Sequence, residues 1–302
     1  EKGIEGGKMM KYLVPAIIIL SVFAISCENP EFEPYTDEFA LIDIASKDFP
    51  SLFETKLINL DVPDTTLFTT SEGVEVLFYW RDIVRSGKEY DIATEYKDTN
   101  AIDVFDKAWI TVNDTIVTTF NSIARDTTAV PDSTIRLQKQ VTEFVSVTGY
   151  LERLGTPYDP RNGWLINKIS GASGKKYASS IYNAFDSLYL LSLSQGEIAY
   201  DVSDITGLVS IHNIFTFDPE EDITVEFVVR DTTGEFTVHV GNGSYNLYEP
   251  DYLGENRYRA LISAPARSGY FHITLDAVSS LSFSDTSAYN FRRLAVTSLV
   301  KP

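Results

Sequence analysis

The spacing of apolar residues changes once along the first half of the chain. Apolar residues within 39–49 are three or four positions apart, as on one face of a helix, and Pro50 ends that pattern. The following apolar residues alternate with polar ones, which is typical of strands. These strand patterns cover 74–80, 110–117, 141–151 and 163–169. The pattern predicts an α+β domain over 36–170, with a helix followed by a curved antiparallel sheet.

The second half alternates apolar and polar residues almost throughout. Its strand patterns cover 182–190, 223–229, 236–240, 258–262, 271–277 and 294–299. Gly, Asp and Asn separate them, which predicts an all-β sandwich over 177–302. Small and charged residues at 171–176 predict a linker between the two domains.

The chain begins with a segment that reads as a targeting signal. One Lys precedes an apolar run of about fourteen residues, which is shorter than the roughly 20 that a membrane span needs. This predicts a signal peptide over 1–26. Residues 1–8 carry two acidic residues that do not suit it, so we expect translation to start at Met9 or Met10.

The run Ala24-Ile25-Ser26-Cys27 contains the single cysteine of the chain. It resembles the lipobox of bacterial lipoproteins, in which the cysteine thiol receives diacylglycerol and becomes the first mature residue. The resemblance implies a lipid anchor at Cys27 and an outer-membrane lipoprotein of the bacterial envelope facing the periplasm or the surface. The acidic residues and two prolines of 27–35 predict an extended acidic tether, and acidic residues after a lipidated cysteine also resemble surface-export signals of some envelope lipoproteins. The alternative is an ordinary signal peptide cut after Ser26, with an idle thiol.

Composition narrows the function further. The 302 residues carry a net charge of -18, and without the three Lys and two Glu of 1–26 the 25 basic and 43 acidic residues become 22 and 41, or -19. Such acidity argues against a nucleic-acid partner. One cysteine excludes a disulfide within the chain and a thiolate-rich metal site.

The order of the first-half patterns also carries a resemblance. An N-terminal helix precedes Tyr79-Trp80-Arg81, then Ala108-Trp109-Ile110, and the last strand reads Gly163-Trp164-Leu165-Ile166. This is similar to the nuclear-transport-factor-two-like, or SnoaL-like, cone fold, while the second half resembles immunoglobulin-like accessory domains. The cone resemblance implies an enclosed pocket, in which an acid and a tyrosine do the chemistry of the ketosteroid-isomerase type. Asp82, Tyr79, Tyr90 and Asp103 are available by residue type, and none maps onto a catalytic position.

Two groups of residues in the second half suggest chemistry. Tyr245, Tyr248 and Tyr252 lie among turn residues, where tyrosine supplies rigid contact area for sugars or proteins, although burial at a sandwich end explains them too. His212, His239 and His272 lack metal-ligand spacing, and the last two alternate with apolar residues, so we expect them to face solvent. The acidic run 218–222 lacks calcium-loop spacing and is expected to be a solvated turn.

These observations favour a lipid-anchored envelope protein that binds a protein or glycan partner without catalysis, cofactor or metal. One alternative is an enzyme or small-ligand carrier that uses a pocket in the cone-like domain. Another is a structural subunit of an envelope assembly. The sequence does not identify the partner or the oligomeric state.

Overall fold

A computed structural model describes residues 35–58, 68–69, 74–97, 106–126, 133–176, 184–230, 234–283 and 289–302. The chain divides into two units, Glu1–Thr36 and Asp37–Pro302. All elements below belong to the second unit, which spans both predicted domains and is mostly β. Cys27, Asp103, the signal peptide and all but the last residue of the predicted tether lie outside the described residues.

The helical content of the described residues is small. Helix α1 is Asp37–Asp43, a π-helical turn follows over Ile44–Asp48, and helix α2 is Val202–Ile205. Short 3-10 turns occur at Pro160–Gly163, Ile211–Asn213 and Ser280–Phe283. The predicted helix therefore exists, but it makes little more than three turns before Pro50 and is too short to cap a cone.

The larger sheet has twelve strands, which come from both halves of the described chain. Its main order is β1-β2-β3-β4-β6-β17-β16-β12-β13; β5 pairs with β4 and β9, and β10 pairs with β17. Its strands are β1 (Phe68–Thr69), β2 (Val74–Glu95), β3 (Lys107–Asp126), β4 (Ser133–Arg153), β5 (Trp164–Ser170), β6 (Ala172–Lys176), β9 (Leu208–Ser210), β10 (Thr216–Phe217), β12 (Gly234–Asn242), β13 (Ser244–Tyr248), β16 (Gly269–Ser279) and β17 (Phe291–Val300). Strands β2, β3 and β4 have 22, 20 and 21 residues, and two bulges in β2 increase the bending that strand twist produces.

The smaller sheet has five strands in the order β14-β15-β11-β7-β8. They are β7 (Phe185–Ser192), β8 (Gly196–Asp201), β11 (Asp222–Val229), β14 (Asp251–Gly254) and β15 (Arg257–Ser263). One apolar core joins this sheet to β12, β16 and β17 of the larger sheet. The alternate apolar residues of these strands meet there, as the period of two predicts.

A buried ionic network ties distant strands of the larger sheet together. Arg81 of β2 donates Nη2 to Asp276 Oδ2 at 2.8 Å. Arg293 of β17 donates Nε to Asp276 Oδ1 and Nη1 to Glu143 Oε2 of β4, both at 3.1 Å. All four side chains are at most 4% exposed. Because β3, β4, β6 and β17 separate β2 from β16 in the sheet, the Arg81–Asp276 contact requires the sheet to curl back on itself.

Apolar clusters fill the curl on both sides of this network. On one side, α1 and residues 49–58 pack on β3, β4 and β5. On the other, Tyr79 and Phe120 pack against Phe283, Tyr289 and Phe291. Arg161 holds α1 and the π-helical turn in place. It donates Nη1 to Asp43 Oδ2 at 2.6 Å, Nε to Asp48 Oδ2 at 2.6 Å and Nη2 to Asp48 Oδ1 at 2.8 Å.

The predicted fold class is wrong. An α+β cone followed by a separate immunoglobulin-like sandwich does not describe this chain, because β12, β16 and β17 continue the same curled sheet as β2, β3 and β4. The predicted linker 171–176 is mostly strand β6, which pairs with β4 and β17. Its small residues serve close packing: a Cβ on Gly171 would lie 2.4 Å from the carbonyl oxygens of Ala295 and Ile205.

We expect Arg293→Met to lower the free energy of unfolding by about 3–5 kcal/mol, because it leaves buried Asp276 and Glu143 without a shared cation. Urea unfolding at neutral pH measures this. The control is Arg136→Met on exposed β4 surface, for which we expect a change within about 0.5 kcal/mol. Equal effects of the two substitutions would contradict a tightly coupled network.

Candidate ligand-binding cleft

A cleft of about 690 Å³ opens between the two sheets at one end of their shared core. One wall is the β12–β13 hairpin, and the other is the connection from β15 to β16. Side chains that line it include Ser51, Glu220, Asn242, Ser244, Asn246, Tyr248, Ser263, Arg267, Ser268 and Tyr270. Its volume is within the roughly 300–1,000 Å³ range of ligand sites in proteins.

The strand register explains why this cleft is polar. Val238 pairs with Tyr248 and Val240 pairs with Asn246, so all four side chains face the smaller sheet. The next pair on that face joins two polar residues, Asn242 and Ser244. Along this face of β12 and β13, the apolar pairs of the core give way to polar pairs at the end of the hairpin. The side chains between the sheets at that end are therefore amides and a hydroxyl.

Several of these polar groups are not used inside the protein. Within the described part of the chain, the side chains of Asn246, Ser244, Ser268, Arg267 and Glu220 make no hydrogen bond or ion pair. Amides and hydroxyls both donate and accept, whereas the guanidinium only donates and the carboxylate only accepts. The cleft thus presents unpaired groups of both kinds to a ligand.

Hydrogen bonds join the side chains at the floor of the cleft. Asn242 donates Nδ2 to Ser51 Oγ at 2.7 Å and to the Tyr270 carbonyl at 3.0 Å. Gly241 lets the hairpin close tightly, because a Cβ there would lie 2.0 Å from the Ser244 carbonyl oxygen. Ser51 therefore joins the hairpin to β16, since its carbonyl oxygen lies 2.8 Å from His272 Nε2.

Glu220 belongs to the acidic run that the sequence predicts to be a solvated turn. Its neighbour Glu221 fixes that turn by accepting from the Asp218 amide at 2.8 Å and from the Ser194 amide and hydroxyl at 2.8 and 2.7 Å. Burial raises the Glu221 pKa, but these hydrogen bonds outweigh it and leave that pKa lowered. Glu220 has a left-handed backbone with φ of 59° and lines the cleft. No motif in the run distinguishes Glu220 from Glu221, so the sequence could not select it.

The three tyrosines predicted to contact a ligand occupy different environments. Tyr245 is 4% exposed, and burial raises the pKa of its hydroxyl. Tyr248 is half-buried, packs on the shared core and lines the cleft. Tyr252 is 58% exposed at the edge of the smaller sheet, and its ring centroid lies 5.1 Å from that of Tyr258. The structure therefore brings only Tyr248 of this group to the cleft.

The expectation that His239 and His272 face solvent is wrong. His239 and His272 lie on the inner face of the curled sheet and are 6% and 0% exposed, while His212 is exposed in a 3-10 turn. Their polar face is covered by the curl, which alternation alone could not reveal. Among the described residues, no group of three or more His, Cys, Asp and Glu side chains could hold a metal ion.

The acids and tyrosines considered for a cone pocket do not converge. Tyr79 is buried against Phe120 and Phe283. Asp82 accepts from Trp80 Nε1 at 3.1 Å and from Asn121 Nδ2 at 2.8 Å. Tyr90 packs eleven residues farther along β2 than Tyr79, a separation of about 36 Å on a strand.

Comparisons with protein-family models, curated proteins and solved structures found no match for this chain. In the described part of the chain, no helix has the length and apolar character that crossing a membrane requires.

The two buried histidines predict a stability that falls in mild acid. Burial lowers the pKa of His239 from 6.5 to about 3 and also lowers that of His272. Below pH 6.5 each of these histidines binds a proton in the unfolded protein but stays neutral in the folded protein. The free energy of unfolding should therefore fall as pH falls from 6.5 toward 3, by about 1.4 kcal/mol per pH unit for His239.

Urea unfolding between pH 6.5 and 4.5 measures this slope. His239→Gln should remove the contribution of one proton and leave that of His272. A variant that keeps the full wild-type slope would show that His239 is protonated in the folded protein.

Proposed function

We propose that this chain is a non-catalytic binding protein of the bacterial envelope, anchored by a lipid at Cys27, which holds a glycan in the cleft between its two sheets. The observation that carries the binding role is the set of unpaired polar side chains in a fixed cleft of about 690 Å³. The anchor rests on the sequence of residues 10–27.

The chemistry of the lining supports a ligand rich in hydroxyl groups. Most small-molecule pockets are lined largely by apolar residues, and this cleft is not. Asn246, Ser244 and Ser268 both donate and accept hydrogen bonds, which suits sugar hydroxyls that do the same. Tyr248 and Tyr270 add ring surface against which the apolar face of a sugar packs.

The charges of the cleft support a ligand of low net charge. Arg267 and Glu220 place one cation and one anion at its walls. This local balance contrasts with the net charge of -18 on the whole chain. A neutral glycan gains hydrogen bonds to both groups without facing an excess of either sign.

The proposed anchor supplies a location at which such binding is useful. A single acyl chain holds a protein only marginally at a membrane, whereas two or more chains anchor it stably. Diacylglycerol on Cys27 meets that condition. The tether that follows contains two prolines, Pro30 and Pro34, and favours an extended spacer between membrane and cleft.

We expect Cys27→Ala to move the protein from the membrane fraction to the soluble fraction of a bacterial host. Detergent phase separation and mass spectrometry of the mature N-terminus measure the change. The wild-type N-terminal peptide should carry the acyl mass on Cys27. Ser26→Gly, which keeps a small residue before the cysteine, serves as control and should stay membrane-bound. Unchanged partition of the Cys27→Ala protein would refute the anchor.

We expect binding to an array of defined neutral oligosaccharides, and weaker binding by variants of the cleft. Asn246→Ala and Arg267→Ala each remove a group that contacts ligand, which should weaken binding about fivefold to tenfold. Calorimetry on the best-bound oligosaccharide measures the effect.

The matched controls are Gln140→Ala and Arg136→Ala, which remove the same groups from the exposed surface of β4. They should bind as the wild type does. Absence of oligosaccharide binding by a folded wild-type protein, or equal losses in the cleft and control variants, would overturn the glycan assignment.

A further inference from the structure

A second groove lies on the face of the smaller sheet that points away from the shared core. Side chains of β7, β8, β11 and β15 line it, and its volume is about 410 Å³. We call it the outer groove. Half-buried Tyr189 lies at its centre, paired with Glu226 on one side and with Ala199 on the other. The small side chain of Ala199 covers little of the Tyr189 ring, which therefore offers an aromatic surface within the groove.

Three polar side chains of the outer groove are not used inside the protein. Within the described residues, the hydroxyls of Tyr189 and Thr224 and the carboxylate of Glu197 make no hydrogen bond or ion pair. Hydroxyls donate and accept, whereas a carboxylate only accepts. The cleft presents the same kinds of unpaired group. The outer groove therefore suits the same class of ligand, one that is rich in hydroxyl groups.

The charges around the outer groove do not favour an acidic ligand. Glu226 accepts from Arg257 Nη2 at 3.2 Å and from Arg259 Nε and Nη2 at 2.8 and 2.6 Å. Asp251 of edge strand β14 lies beside Arg259 on the same face. The two cations are thus balanced by carboxylates. Further acidic side chains on this face are Glu197, Asp201 and Asp222. A neutral chain avoids their repulsion, as it does in the cleft.

The outer groove and the cleft meet at the end of β15. Ser263, the last residue of β15, lines the cleft and pairs with Asp222. Two residues along, Leu261 pairs with Thr224, which lines the outer groove. Alternate residues of a strand share a face, so these two pairs lie on the same side of the sheet, about 7 Å apart. Leu261 is 64% exposed, so this short stretch is open to solvent.

We propose that the outer groove continues the binding site of the cleft, so that one neutral oligosaccharide passes from the cleft over the end of β15 and reaches Tyr189. The inference rests on the proposed glycan binding and adds the length of the glycan to it. From Ser263 to Arg257 the strand covers six residues, or about 20 Å. A short oligosaccharide occupies the cleft alone, whereas a longer one also contacts the outer groove.

The residues of the outer groove have different parts in this extension. The Tyr189 ring packs against the apolar face of a sugar, and its hydroxyl is available to the hydroxyls of the same unit. Thr224 and Glu197 supply hydrogen bonds on either side of the ring. Glu226 is occupied by its two arginines, so it supports the floor of the groove rather than the sugar.

Calorimetry with dimers and hexamers of glucose, mannose and N-acetylglucosamine tests the proposal. The protein is the chain from residue 27 with Cys27→Ser, which contains the whole compact unit Asp37–Pro302. The hexamer of the best-bound sugar should bind at least about tenfold more tightly than its dimer. Tyr189→Ala should weaken hexamer binding about fivefold to tenfold and leave dimer binding unchanged. Asn246→Ala in the cleft should weaken the binding of both.

Tyr158→Ala is the matched control, because Tyr158 is 98% exposed and lies outside both linings. It should bind both lengths as the wild type does. Thr224→Val, which removes a hydroxyl while keeping the shape of the side chain, is the second variant if Tyr189→Ala fails to fold. It should weaken hexamer binding about threefold and leave dimer binding unchanged.

Two failures are distinguishable. Equal affinities of the wild type for dimer and hexamer, or wild-type hexamer binding by the folded groove variants, would overturn the extension. The cleft would keep its role if Asn246→Ala still weakened both lengths. Absence of binding of any dimer or hexamer to the folded wild type would overturn the extension together with the proposed function.

Discussion

The buried network of Arg81, Glu143, Asp276 and Arg293 is the constraint on which the rest of this structure depends. Removing four charges from water is unfavourable unless each finds partners with good geometry. Here each carboxylate accepts from at least one guanidinium. Burial raises the Asp276 pKa, but the charges of Arg81 and Arg293 outweigh it and lower that pKa to about 2. Since the partners lie on β2, β4, β16 and β17, the requirement is met only when the sheet is curled and correctly registered. We infer that the network selects this arrangement over flatter ones.

The curl determines which surfaces are left for function. It buries the inner face of β12, β16 and β17, while the smaller sheet buries their outer face, so nearly every residue of β16 and β17 is inaccessible. Polar residues such as His239 and Thr274 are part of this interior. The end of the β12–β13 hairpin lies beyond this interior and forms the cleft.

The positions of the strands could be predicted from the sequence, but their grouping into sheets could not. Alternation in 271–277 locates β16 correctly and indicates an apolar face toward a core. It cannot distinguish a polar face in water from one buried against Arg81, which is 195 residues away along the chain. For the same reason Gly171 and Gly174 read as linker residues, although a strand packs there. Only part of the cleft could be predicted from the sequence. Tyr248 stands out as a tyrosine among turn residues, whereas Asn246 and Glu220 reach the cleft through strand register and backbone conformation.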